Sequence, residues 1–301
     1  MSKERACILI ATFLICALCI FYVKGTSTKH VNQKSEVKNE KNEKINIVIN
    51  QKQWNKYHNK YDGFKSKEDF INKGNKYIKK IEQLTGLYNW EKQYQKDGKP
   101  LRIDIQIDPN SMNHTIMSSH SIVFNANLFK YNVTPYAHEL THLIIGVHTN
   151  SSLSEGFACY ISDLTGSNSG GYNYGEDIDM MSTPYIAKKK YQKIVDAIGI
   201  KSCPSPTTSG LDVRNTSRIY YKLSESFCKF LVTNYGMKKA LGFYQSNCLP
   251  NQYKDVFGKT IKELKKEWIT HLSNYPSQLT EKEEDQIINQ YFSKHHFKYD
   301  S

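Results

Sequence analysis

Residues 134–146 read TPYAHELTHLIIG and contain the pattern His-Glu-x-x-His. On an α-helix, residues four positions apart lie on one face, so the side chains of His138 and His142 can bind a single metal ion. Glu139 follows the first histidine and lies off the line of the two ligands, where its carboxylate can reach a water molecule beside the ion. Two imidazoles at this spacing are typical of zinc sites.

The residues around this pattern predict a helix. Thr134 is a good N-cap, and Pro135 suits the first helical position, where its missing N–H costs nothing. Leucine and isoleucine at positions 140, 143 and 144 provide an apolar face, and Gly146 is expected to end the helix. The sequence therefore predicts a rigid, buried helix that carries both histidines.

The same pattern can also arise by chance in a chain with 10 histidines, so a third ligand is needed. Zinc sites that keep an open position use three protein ligands. Residues 152–160 read SLSEGFACY, and we predict that a loop from His148 to Ser151 leads into a second helix near Ser152. Glu155 is then expected in the first turn of that helix, facing the two histidines.

The combination of HELTH (138–142) with LSEGFA (153–158) resembles the gluzincin metallopeptidases, most closely the bacterial group called peptidase MA-like. The resemblance implies that His138, His142 and Glu155 hold Zn²⁺ and that Glu139 is the general base. It covers about residues 66 to 272. It is strong at these motifs and in the closing segment FGKTIKELKKEW (257–268), and weak between them.

The resemblance also implies that a tyrosine near the start of the helix after the metal site points into the cleft. Tyr221 is the best-aligned candidate and Tyr220 is a neighbour that stays open. A phenol in that place would hydrogen-bond the oxygen of the attacked carbonyl, whereas the alternative is an ordinary core tyrosine. Thermolysin-type enzymes carry a supporting carboxylate four residues after the glutamate ligand, but here that position is Cys159.

The remaining patterns predict an α+β fold. Residues 45–49 and the alternating stretch LRIDIQI (101–107) are expected strands, and Ser66 with Asp69 is a capping box that opens a helix closed by Gly86. Residues 121–127 are expected to form another strand, which the resemblance makes the edge strand that pairs with substrate backbone. The chain beyond Asn215 reads as helix.

The resemblance makes this fold zincin-like, with a small mixed sheet packed on the metal-binding helix and a mostly helical C-terminal subdomain. One catalytic domain is expected over residues 45–301, with its α/β part up to about 150 and its helical part from about 152. Before it, the apolar run 6–23 behind Lys3 and Arg5 predicts a signal peptide ending near Gly25 or a retained N-terminal anchor. Residues 26–44 are too polar to build a core and are expected to be a disordered linker.

The charge and composition restrict the classes of molecule that the protein is expected to bind. The formal net charge is +12, mostly from lysines before residue 100, which indicates either a solvated surface or attraction to an anionic cell-surface polymer. No nucleic-acid-binding motif accompanies the charge, and a membrane is a partner only through an uncleaved N-terminal segment. Asp177 and Asp179 are expected to be solvated loop acids, with a calcium site as the alternative.

Two further interpretations stay open at this stage. The Gly/Ser/Asn-rich stretch 165–175 either rims the cleft or is a flexible insertion. Cys159 and Cys228 are expected to be small buried hydrophobes, whereas a Cys203–Cys248 disulfide is left undecided.

The sequence thus predicts a secreted or surface-tethered zinc metallopeptidase that hydrolyses peptide or protein substrates. The alternative is a non-catalytic extracellular protein of the same fold that binds peptide or cell-wall polymer.

Overall fold

The structure is a computed structural model that describes residues 44–59, 63–95, 98–167, 172–246 and 249–294. The expected signal peptide or anchor, the linker up to residue 43 and Cys248 lie outside these ranges. In the ranges that the structure describes, no helix has both the length and the apolar character needed to cross a bilayer.

Within these residues, a four-stranded mixed sheet forms the N-terminal part and confirms the α+β class. Its strands are β1 (Ile45–Ile49), β2 (Leu101–Asp108), β3 (His114–Ile116) and β4 (Ser121–Asn125), in the order β1-β2-β4-β3. β1, β2 and β4 are parallel, and β3 runs antiparallel to β4. The alternating sequence of β2 produces alternating burial, because successive side chains point to opposite faces.

The prediction of an edge strand over residues 121–127 is wrong in two respects. The strand ends at Asn125, since the Asn125 side chain accepts hydrogen bonds from the N–H groups of Asn127 and Leu128 and starts helix α3 (Ala126–Lys130). β4 also lies inside the sheet, between β2 and β3. The edge strands are instead β1 and β3, and β3 has only three residues, too few to show alternation.

Two helices and an aromatic cluster cover the sheet. α1 spans Gln51–Tyr57 and α2 spans Lys67–Thr85, with a 3₁₀ turn at Trp90–Gln93. As predicted, Ser66 caps α2 through the Asp69 N–H, and Gly86 ends the helix at a φ of 72°. Phe70 of α2 stacks on Tyr136, with ring centroids 4.5 Å apart, and so links α2 to the helix that follows β4 and α3.

That helix, α4 (Tyr136–Ile145), carries the His-Glu-x-x-His pattern and is buried along its whole length. Its predicted start is wrong by one residue. Pro135 is the cap residue, with a ψ of 56° that is not helical, and the Thr134 side chain does not cap the helix. Instead the Thr134 carbonyl accepts the Tyr136 N–H. Gly146, at a φ of 85°, ends α4 as predicted.

Beyond residue 215 the described chain is helical apart from short connections, as predicted, and helices also form most of the chain between residues 151 and 215. After α5 (Ser151–Leu164) come α6 (Ile178–Ile186), α7 (Gln192–Ala197), α8 (Pro206–Ser209), α9 (Val213–Tyr235), α10 (Met237–Gln245), α11 (Tyr253–Phe257), α12 (Ile261–Ser273) and α13 (Glu281–Lys294). α12 opens with a reciprocal capping box between Thr260 and Glu263, and its Leu264 and Trp268 are buried.

The tail helix α13 contains a buried charge that its sequence did not reveal. Glu284 is fully buried, forms an ion pair with Lys222 of α9 and accepts a hydrogen bond from the Tyr185 hydroxyl. Burial alone disfavours the charged form of both groups, raising the pKa of Glu284 to about 9 and lowering the pKa of Lys222, whereas their direct contact favours the ion pair. The pair attaches α13 to the central helix α9, and removing either partner would leave the other polar group buried without it.

Two helical glycines provide a test of the packing between α2 and α4. A Cβ at Gly74 would lie 2.1 Å from the Tyr136 hydroxyl oxygen and 2.7 Å from Ile47 Cδ1, whereas Gly242 of α10 has nothing within 4 Å. We expect Gly74→Ala to lower the free energy of unfolding by about 1–3 kcal/mol. Gly242→Ala should raise it by about 0.5–1 kcal/mol, because alanine is the better helix former.

Urea unfolding of both variants, followed by circular dichroism, measures these two changes. If Gly74→Ala is as stable as Gly242→Ala, α2 does not approach Tyr136 as closely as the structure indicates.

Candidate metal centre

Three side chains from two helices converge at one point. α4 presents His138 and His142 one turn apart, and α5 presents Glu155. Glu155 Oε2 lies 3.2 Å from His138 Nε2 and 3.4 Å from His142 Nε2, and the two Nε2 atoms are 3.2 Å apart. In the part of the chain that the structure describes, no other group of three histidine, cysteine or acidic side chains is arranged to hold a metal ion.

The donor atoms fit a zinc ion in spacing and in chemistry. Tetrahedral ligands at zinc distances of about 2.0–2.1 Å are about 3.3–3.4 Å from one another, which matches the observed separations. Two imidazole nitrogens and one carboxylate oxygen are a donor set that zinc accepts. Both histidines are 6% exposed, so the protein holds the rings in place.

The same three groups also favour one another electrostatically. Burial raises the pKa of Glu155, but hydrogen bonds with His138 and His142 outweigh this effect and lower the pKa well below its usual range. Burial lowers the pKa of His138, and the hydrogen bond to Glu155 together with nearby carboxylates raises it overall. Protons and a metal ion therefore compete for these donors, so metal affinity should fall in acid.

Glu155 was predicted in the first turn of α5, but the structure places it at the start of the second turn. The helix begins at Ser151, capped by the Asn150 side chain, so Glu155 is its fifth residue and starts the second turn. The next residue, Gly156, faces α9: a Cβ there would lie 2.4 Å from the Ser224 carbonyl oxygen and 2.6 Å from Cys228 Sγ. Glu155 thus points to the two histidines of α4, while the neighbouring Gly156 allows α5 to pack closely against α9.

The structure distinguishes the two candidate tyrosines of α9. The Tyr220 hydroxyl donates to the Lys201 carbonyl at 2.7 Å and lies 2.9 Å from Ser151 Oγ, so its hydrogen bonds serve the fold. Tyr221 lies within electrostatic reach of the metal centre. Burial raises its pKa, and the carboxylates of Glu155 and Glu139 raise it further, so its phenol stays protonated and can donate.

Glu139 is 3% exposed, and its side chain contacts a residue of the sheet. Thr115, in the middle of the edge strand β3, places its hydroxyl oxygen 2.9 Å from Glu139 Oε2 and 2.9 Å from the Glu139 carbonyl oxygen. Sequence reasoning missed this contact, because a strand of three mixed residues carries no pattern that marks a residue facing the metal helix.

The Nδ1 atom of His138 lies beside the thiol of Cys159. Cys159, one turn after Glu155, places its Sγ 3.5 Å from His138 Nδ1. Burial and the nearby charge of Glu225 raise the pKa of Cys159, so the thiol is neutral. Cys159 is buried as predicted, and its thiol is the group that the structure places beside this nitrogen.

Behind this thiol, α5 and α9 bring together two carboxyl groups, of which Glu225 is fully buried and Asp163 is partly buried. Glu225 accepts the Tyr172 N–H at 3.1 Å, and Asp163 accepts from the Asn173 side chain. Asp163 Oδ1 and Glu225 Oε1 accept no hydrogen bond from any donor among the described residues. Burial raises the pKa of Asp163, and the adjoining Glu225 raises it further, so the pair retains a shared proton.

This pair attaches the end of the Gly/Ser/Asn-rich stretch to the site. The Tyr172 ring lies with its centroid 5.2 Å from that of Tyr221. Of the two interpretations of residues 165–175, the contacts of residues 172 and 173 favour a segment that lies beside the candidate site. Residues 168–171 lie outside the described ranges.

Asp177 is exposed, as predicted, whereas Asp179 is buried, and the two are not arranged as a calcium cage. Asp177 caps α6 and forms an ion pair with Lys229 at 2.7 Å. Asp179 is buried, accepts from Ser226 at 2.6 Å and contacts Lys229 at 2.9 Å. Lys229 supplies the positive charge between them, which the sequence could not show because it lies about fifty residues away.

No protein-family model, curated protein or solved structure matches the chain. The resemblance to gluzincins therefore depends on the sequence motifs, and the case for a metal centre depends on the distances given above.

The shared proton of Asp163 and Glu225 predicts a pH-dependent stability. A carboxyl group whose pKa is higher in the folded than in the unfolded state stabilises the fold fully below its unfolded pKa of about 4. That contribution is lost as the pH rises toward the folded pKa, by up to about 1.4 kcal/mol per pH unit. We expect Asp163→Asn to reduce the loss of stability between about pH 7 and pH 10, because the asparagine amide can donate to Glu225 at every pH.

Urea unfolding at several pH values measures this difference. Asp255→Asn is the matched control, since Asp255 is exposed on α11 and its replacement removes the same charge. Parallel stability curves for wild type and Asp163→Asn would show that the pair shares no proton.

Proposed function

We propose that the chain is a zinc-dependent metallopeptidase with a zincin-like fold, secreted or tethered to the outer face of the cell membrane. One observation carries the proposal: two imidazole nitrogens and a carboxylate oxygen stand 3.2–3.4 Å apart, with the buried carboxylate of Glu139 beside the first ligand. The small mixed sheet next to the metal helix and the helical C-terminal part support the fold assignment.

In this proposal, His138, His142 and Glu155 hold Zn²⁺. Zinc in such a donor set supplies Lewis acidity, which polarises a substrate carbonyl and makes water a stronger acid. Glu139 accepts a proton from the attacking water at its carboxylate and later gives it to the leaving amine. Tyr221 donates a hydrogen bond to the carbonyl oxygen of the substrate as negative charge develops there.

The proposed substrate is a peptide or protein chain, and the N-terminal lysines add an anionic cell-surface polymer as a proposed partner. Enzymatic function is preferred to binding alone, because a binding protein has no use for a buried carboxylate beside the metal ligands. Burial of such a group without chemical use lowers stability.

The first test measures metal content and peptide cleavage together. The purified full chain should bind about one zinc ion per molecule, and a chelator should abolish cleavage of a peptide library. Glu139→Gln should retain zinc and lose about 100-fold or more in kcat, because only the proton acceptor is removed. His142→Ala should lose both zinc and activity, whereas His271→Ala, a helical histidine outside the centre, should lose neither.

A chain without zinc affinity rejects the proposal. Equal activity of wild type and Glu139→Gln, or zinc binding with no cleavage by either, favours the non-catalytic extracellular binding protein.

The second test separates the two tyrosines. Tyr221→Phe should lower kcat by about 100-fold and leave the free energy of unfolding nearly unchanged, because its hydroxyl acts on the substrate. Tyr220→Phe should do the reverse and lower the free energy of unfolding by about 1–2 kcal/mol, since it removes the hydrogen bond to the Lys201 carbonyl. Steady-state kinetics and urea unfolding of both variants check this, and an unchanged kcat in Tyr221→Phe would remove that residue from the mechanism.

A further inference from the structure

We propose that Thr115 is a positioning residue for Glu139. Its hydroxyl holds the Glu139 carboxylate in the orientation from which it exchanges a proton with water. This inference rests on the proposed peptidase function, and it assigns part of the active site to the edge strand β3 of the sheet.

The hydrogen bond between Thr115 and the Glu139 carboxylate has ordinary geometry and little competition. Thr115 Oγ1 lies 2.9 Å from Glu139 Oε2, which is a normal distance for a hydrogen bond from a hydroxyl to a carboxylate. Among the described residues, it is the one hydrogen bond that the structure shows to this carboxylate. Because Glu139 is 3% exposed, bulk water contributes little to holding the group in place.

The Thr115 hydroxyl has two acceptors within reach but only one proton. The Glu139 carbonyl oxygen is also 2.9 Å away, yet the carboxylate carries the full negative charge and is the stronger acceptor. Both acceptors belong to one residue, so the hydroxyl stays beside Glu139 whichever of them it serves.

The backbone beneath this hydroxyl is also held. Thr115 is the central residue of β3 and pairs with Ile122 of the interior strand β4. Ile122 is fully buried. A β-branched side chain has few χ1 rotamers, so a fixed strand fixes the direction of its hydroxyl. The sheet thereby sets the orientation of a carboxylate that is carried by a helix.

Two substitutions separate the hydrogen bond from the packing. Thr115→Val has nearly the same shape but cannot donate, whereas Thr115→Ser keeps the hydroxyl and loses only a methyl group. Loss of a hydrogen bond to a charged group predicts a fall in kcat of about 10- to 100-fold for Thr115→Val. The KM and the zinc content should stay near the wild-type values, and Thr115→Ser should restore most of the kcat.

Kinetics on the zinc-loaded full chain decide between positioning and packing. A wild-type kcat in Thr115→Val overturns the proposal. Equal losses in Thr115→Val and Thr115→Ser overturn it as well, because they show that the methyl group and not the hydroxyl matters.

Crystal structures of the zinc-loaded wild type and of Thr115→Val supply a readout that does not need activity. We expect Glu139 in one conformation on Thr115 in the wild type, and rotated away or split in Thr115→Val. The same Glu139 conformation in both proteins overturns the positioning role. If the wild type cleaves no peptide, the peptidase proposal fails by itself, and this comparison still decides whether Thr115 orients Glu139.

Discussion

The candidate site depends on the close packing of α5 between α4 and α9. Gly156 makes it possible, because a side chain there would collide with the backbone of α9 at Ser224. On one side of α5, Glu155 meets the two histidines of α4. On the other side, the hydroxyls of Ser152 and Ser224 lie 3.0 Å apart. This packing brings the metal ligands, the Tyr221 phenol and the carboxyl pair into one region.

The fold also removes several acidic groups from bulk water, and each of them interacts with a different kind of partner. Glu155 is matched by imidazoles, Glu139 by a threonine hydroxyl, Glu225 by a proton shared with Asp163, and Glu284 by a buried lysine. Unpaired, each would impose a large desolvation penalty or would be neutralised by protonation. The compensating groups come from a different secondary-structure element in each case, so the acids depend on the tertiary fold and would lose their partners when it opens.

A feature of the fold or of the candidate site could be predicted when the residues that determine it are close together in the sequence. Helix periodicity, caps and motif spacing are local, so the metal helix, Glu155 and the strands at 45 and 101 were predicted within a few residues. Errors arose where a single dihedral or a cap decides a boundary, as at Pro135 and Asn125. Contacts between distant elements have no local signature, and for that reason Thr115, the Asp163–Glu225 pair and Lys222 with Glu284 were missed.

For the proposed zinc site, the polar residues around His138, His142 and Glu155 also argue against a purely structural role of the ion. A purely structural zinc gains most from closed coordination and apolar surroundings, since every polar group buried beside it must be compensated. Here the neighbours are a carboxylate fastened by Thr115 and a protonated phenol at Tyr221. Apolar residues at these positions would make a simpler and more stable core. Departures of this kind from the stability optimum are expected where a site performs chemistry, because its groups must act on a substrate as well as on one another.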